Sequence, residues 1–145
     1  MFDAIALPQH YAGLRDWAGS SRPLTASTEL LIRTGLAKPV APWIQLDSMF
    51  RRPWINFEWL LEMADRYSDR ERQLLRIAAS LAGEFAIVLG DEITDLDDDA
   101  LDLVFAAIAH SAGINSSAHT FDPGFSALSP GPPPEVVHPW PGTGR

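Results

Sequence analysis

Seven prolines and four glycines fall among the thirty-one residues 115–145, about 35% of that stretch. This density exceeds the roughly 25–30% typical of low-complexity chains. Prolines there remove backbone donors and favour polyproline II around Pro130, Pro132, Pro133 and Pro134, and no apolar residue recurs at a period that would bury a face. The expected organisation is a helical domain over 1–114, packed from about residue 5 to 113, followed by a Pro/Gly-rich disordered tail over 115–145. Trp140, between Pro139 and Pro141 and preceded by Val136 and Val137, is the one tail motif able to dock. The favoured expectation for the tail is an inert, mobile extension.

Inside the packed unit, helical spacing dominates. The clearest helix covers 68–82: Ser68 and Glu71 form a capping box, Leu74, Ile77, Ala78, Leu81 and Ala82 make one apolar stripe, Gly83 ends it, and Arg70, Arg72 and Arg76 lie off the stripe. A second begins with Asp97 as N-cap, sets Asp98, Asp99 and Asp102 against the positive end of the helix dipole, and stops at Gly113. Its expected inward face is Leu101, Val104, Phe105, Ile108 and Ala112. A third starts at Asn56, with Ile55 and Leu60 in the two staple positions. Shorter helices are expected over 8–18 and 25–34. Three helices over 56–112 should pack through Leu60, Met63, Leu74, Ile77, Leu81, Leu101, Phe105 and Ile108. Residues 85–89 are either a buried strand or a packed connector, and 38–53 form an aromatic, Pro-rich loop or a short extended segment. The fold class is thus mainly α, a compact bundle of about five helices.

Charge is segregated as sharply as proline. Residues 1–76 carry ten basic and nine acidic groups, and no Lys or Arg lies between Arg76 and Arg145. Over the same stretch Glu84, Asp91, Glu92, Asp95, Asp97, Asp98, Asp99 and Asp102 concentrate the acid, and the chain's net charge is -8. Such a surface repels bare nucleic acid and attracts a basic protein or a cation. Ten of the eleven basic residues are arginine, which points to a GC-rich coding sequence. The absence of cysteine excludes disulfides and thiolate chemistry. No apolar run reaches the roughly 18 residues of a membrane span, and the N-terminus has no basic leader, so a cytoplasmic location is expected.

Motifs for catalysis are missing. Asp95, Asp97 and Asp99 have the one-three-five spacing of a calcium loop, but Ala100 replaces its glycine and Ala106 its bidentate glutamate. The four histidines show no metal-ligand spacing, and His110 suits a charged role at a helix C-terminus. No nucleophile elbow or phosphate loop is present. The arginines around 51–76 resemble a helix-turn-helix footprint, yet Glu58, Glu62, Asp65, Asp69 and Glu71 interleave with them. Pro42 to Asp47 recurs in kind eleven residues later as Pro53 to Glu58, either as two recognition elements presenting tryptophans or as two helix starts covering the core edge.

Residues 28–35 (Thr-Glu-Leu-Leu-Ile-Arg-Thr-Gly) and 74–83 (Leu-Leu-Arg-Ile-Ala-Ala-Ser-Leu-Ala-Gly), followed by the Asp-rich helix start, resemble small acidic, mainly helical proteins of high-GC bacteria. The resemblance spans about residues 25–113 and implies a helical fold and no activity. The expected function is protein–protein binding through an acidic surface, as a regulator, inhibitor or accessory subunit rather than an enzyme. The expected contact groups are Asp91, Glu92, Asp95, Asp98, Asp99 and Asp102, with Trp43 and Trp54 as aromatic anchors. The expected partner is a protein with a basic surface, without direct nucleic-acid or membrane contact and with no cofactor or metal. Two alternatives are a nucleic-acid mimic that blocks a nucleic-acid enzyme and a metal-assisted hydrolase using the Asp cluster.

Overall fold

Four polar side chains begin four of the helices. In the computed structural model, which describes residues 6–114 and 139–142, Ser21, Asn56, Ser68 and Asp97 each accept a hydrogen bond from the backbone N–H three residues on, at 3.4, 3.1, 3.2 and 2.8 Å. Each satisfies a donor that the first helical turn leaves free. The described elements are α1 (Leu7–Ala18), α2 (Arg22–Arg33), β1 (Ile44–Leu46), β2 (Pro53–Ile55), α3 (Phe57–Met63), α4 (Asp69–Leu81) and α5 (Asp98–Ala112). Short 3-10 turns occupy Ala64–Arg66 and Leu89–Asp91. Pro8 opens α1 and Pro23 lies in the first turn of α2, so α2 starts three residues before the expected 25–34.

Helix α2 is the centre of the molecule. It packs against α1, α4 and α5, and seven consecutive residues, Ala26 to Ile32, are buried. Burial is costly for a polar group without a partner; among the described residues Ser27 and Glu29 of α2 find one, while the Thr28 hydroxyl does not. The Ser27 hydroxyl donates to the Ala78 carbonyl of α4 at 2.6 Å. The Glu29 carboxylate accepts two bonds from Arg15 of α1, at 2.9 and 3.0 Å, and one from Arg33 at 2.7 Å. Burial pushes the Glu29 carboxyl up, but these hydrogen bonds and the two positive charges outweigh it and hold the group below the ordinary carboxylate range.

The two Pro-Trp-Ile segments are neither two helix starts nor two exposed anchors. They form an antiparallel hairpin in which Ile44 faces Ile55, Gln45 faces Trp54 and Leu46 faces Pro53. Trp43 is 0% exposed and its indole N–H donates to the Tyr67 hydroxyl at 3.2 Å, so the expectation that it anchors a partner is corrected: Trp43 is core. Helix α1 crosses this hairpin closely, because a Cβ on Gly13 would come within 2.9 Å of the Pro53 ring. At the turn, the Asp47 carboxylate accepts from the N–H groups of Met49 and Phe50 and leaves both side chains outward. Residues 85–88 form no strand, and the chain from 85 to 97 is a connector with one 3-10 turn.

A further correction concerns α5. Ala100, Val104, Ala106, Ala107 and Ala109 are buried, whereas Phe105 is 52% and Ile108 38% exposed, so neither belongs to the core as expected. The small residues face inward because α2 lies close against this helix, and Leu101, Phe105 and Ile108 are turned away. Gly113 ends α5 at φ 80°, with the Arg22 side chain so close that a Cβ would strike the guanidinium. The expected disordered tail falls mostly on 115–138 and 143–145, outside the described residues. Residues 139–142 do not match an inert extension, because Trp140 packs on the core.

Truncating Leu74 or Ile77 to Ala should lower the unfolding free energy by about 2–5 kcal/mol, since each leaves a cavity, and Phe105→Ala by less than about 1 kcal/mol. Denaturant titration measures both. The Glu29 carboxyl titrates lower in the folded chain, so its stabilisation is complete above the ordinary value near about 4.3 and is lost as pH falls through the lower native value. Glu29→Gln should therefore lose less stability than the parent between about pH 6 and pH 3, read as urea midpoints.

Candidate protein-binding face

The acidic connector is fastened to α4 by the arginines and glutamine that lie off its apolar stripe. Arg70 pairs with Asp97 at 3.3 Å and Arg76 with Glu92 at 3.0 Å. The Arg76 guanidinium also lies 5.2 Å from the centre of the Phe85 ring. Between them Gln73 is buried: its amide donates to Thr94 Oγ1 at 3.0 Å and to Asp95 Oδ2 at 3.1 Å, and its carbonyl accepts from the Asp95 N–H at 3.0 Å. Residues 70, 73 and 76 therefore form a polar seam, one residue per near-turn, along one side of α4.

The seam divides the six expected contact acids. Glu92 and Asp95 are committed to α4, while Asp91, Asp98, Asp99 and Asp102 have exposed side chains. Asp97, absent from that expected set, caps α5; the Ala100 N–H and, more weakly, the Arg70 charge hold its carboxyl below the usual range. Asp98, Leu101, Asp102, Phe105 and Ile108 recur at three and four residues, so they share one face of α5 with carboxylates at its start and bulky apolar groups beyond. Ile108 also lines an open groove of about 260 Å³ with Ile77 and Leu81 of α4 and with Ile87 and Leu89 of the connector. Leu89 and Val88 are exposed beside it.

Across the last turn of α4 lies a wider cleft of about 620 Å³. Trp17 and Trp54 line it, both half-buried, with Phe57 at its wall and Glu58 and Glu84 also lining it. Of the two expected aromatic anchors, Trp54 is thus the one that reaches a surface concavity. Aromatic faces beside carboxylates favour a cation. Sequence reasoning missed Trp17, Phe105 and Ile108 as surface groups. It also missed the seam, whose only signal was the three-residue spacing of Arg70, Gln73 and Arg76.

Among the described residues, no three or more His, Asp or Glu side chains are gathered closely enough to hold a metal ion, and no helix is long and apolar enough to cross a membrane. Three of the arginines that suggested a helix-turn-helix footprint, Arg70, Arg72 and Arg76, are paired with carboxylates inside the fold. His110 stands in the last turn of α5, but its surroundings work against the charged role expected of it. Burial, with the Arg33 charge, depresses its basicity and favours the neutral ring. The chain matches no protein-family model, no curated protein and no solved structure.

Gln73→Leu keeps the side chain's bulk but removes every bond to the connector. It should cost about 1–3 kcal/mol, because the polar groups of 91–95 lose a buried partner. Amide exchange at Asp95 should accelerate while that of Leu74 and Leu75, inside α4, tracks only the global change.

Proposed function

We propose that this protein acts by binding another protein through the α4–α5 face. The observation that carries the reading is the outward stripe of Phe105 and Ile108 beside the groove of Ile77, Leu81, Ile87 and Leu89, with Asp98, Asp99 and Asp102 at one end. Large apolar side chains left exposed as a group, rather than singly, mark interaction surfaces. The acidic border selects the partner's chemistry: two or three apolar side chains for the groove, flanked by Lys or Arg for the carboxylates. A basic side chain from the same partner fits between Trp17 and Trp54, where Glu58 and Glu84 compensate its charge.

The two kinds of contact should separate in experiment. Replacing Phe105 and Ile108 by Ser should abolish capture of the partner from the source cells at low and at high salt. Replacing Asp98, Asp99 and Asp102 by Asn should weaken capture chiefly at low salt, as expected of exposed charges beyond a Debye length of about 10 Å at 0.1 M. A partner retained equally by the Phe105/Ile108 variant would refute this face as its site.

A further inference from the structure

Trp140 is held by groups that the helical domain supplies. Its indole stacks on the His110 ring with centroids 5.1 Å apart and planes inclined by 16°. The Arg33 guanidinium lies 5.0 Å from the indole centre, and Arg33 Nη1 donates to the Pro141 carbonyl at 3.4 Å. Both partners are set by their own elements. Arg33 is fixed by Glu29 at 2.7 Å, and His110 stands in the last turn of α5. Neither depends on Trp140 for its place in the fold. Desolvation and the Arg33 charge favour the neutral imidazole, the form that stacks without adding a second cation.

The indole also forms one wall of a cavity of about 320 Å³ whose lining includes Arg22, Thr25, Glu29 and His110. The cavity is open, so the tryptophan borders the site without filling it. Prolines on both sides of Trp140 remove two backbone donors and favour an extended chain, so such a peptide loses little freedom on docking. The described chain past α5 ends at Ile114 and resumes at Pro139, twenty-five residues later, at the same end of α5. Covalent connection through the same chain makes docking of this segment intramolecular, with a high effective concentration. A contact of modest intrinsic affinity is therefore filled in cis and remains exchangeable.

We propose that Arg33, His110 and the adjoining cavity form a recognition site for a tryptophan set between prolines in an extended peptide. The site is occupied here by the chain's own Pro139 to Gly142, which competes with the same motif presented by another protein. The site is separate from the Phe105 and Ile108 stripe, because two residues along a helix turn the side chain by about 200°. Failure of one proposal leaves the other standing.

The test uses the full chain carrying Trp140→Ala and a fluorescent synthetic peptide of residues 136–145, followed by anisotropy. Saturable binding to the variant is expected, with at least about tenfold weaker apparent binding to the parent chain, whose own segment competes. Adding His110→Ala, or replacing the peptide's tryptophan by Ala, should each weaken binding by at least about tenfold, the scale of losing an aromatic contact worth about 1.4 kcal/mol. No saturable binding by the folded variant would overturn the proposal, as would equal binding by variant and parent or indifference to His110→Ala. The parent chain supplies a readout that needs no substitution. The His110 ring protons should resonate upfield under the indole, and their appearance at ordinary positions would overturn the contact in cis.

Discussion

The buried carboxylate of Glu29 organises one whole side of the molecule. A charge inside a protein is tolerated only when its hydrogen-bonding capacity is used. Glu29 meets this condition by drawing Arg15 from α1 and Arg33 from one turn further along α2. The first of these joins α1 to the central helix. The second immobilises a long side chain that would otherwise sample many rotamers, and so places a guanidinium under Trp140. The same carboxylate lies in the wall of the cavity that Trp140 borders. One ion triad thereby sets helix packing, the position of the C-terminal segment and the electrostatics of His110, whose basicity responds to both Arg33 and Glu29.

The elements that sequence exposed best were those with a local cause. Ser68 with Glu71, Asn56 and Asp97 are caps that act within three residues, and each begins the helix read from it. What local rules could not supply was the choice of inward face for a helix apolar on more than one side. Helix α5 offers Leu101, Phe105 and Ile108 on one stripe and Ala100, Val104 and Ala107 on another, and the expected inward face joined Val104 to the bulkier set. The decision comes from α2, whose close approach admits only small side chains. Trp43 was misread for a related reason: its burial goes with the pairing of the adjacent β1 to β2 and with its bond to Tyr67, and both β2 and Tyr67 are distant in sequence.

The acidic segment illustrates how a charge count differs from a charged surface. Eight carboxylates within residues 84–102, with no arginine or lysine among them, suggest a uniformly acidic region. In the fold, the basic groups of α4 reach across to it, so Glu92 and Asp97 neutralise Arg76 and Arg70 while Asp95 is held by Gln73. Of the six expected contact acids, Glu92 and Asp95 are thus engaged with α4, and Asp91, Asp98, Asp99 and Asp102 remain exposed. The exposed apolar stripe of α5 was hidden, because an exposed phenylalanine and a buried one have the same periodicity.

The exposure of Phe105 and Ile108 forgoes stabilisation that burial would give, roughly 25 cal/mol for each Å² of apolar area withheld from water. The local sequence limits the consequences. Asp102 and Asp98 lie on the same stripe, about one and two turns upstream, and keep the face charged, while Asp98 also complements the dipole at the start of α5. The helix itself is secured from its other side by the alanine contact with α2, so it does not require the bulky stripe for its own stability. An apolar face that the fold does not use, on a helix secured from its other side and bordered by exposed carboxylates, is what the proposed docking surface rests on.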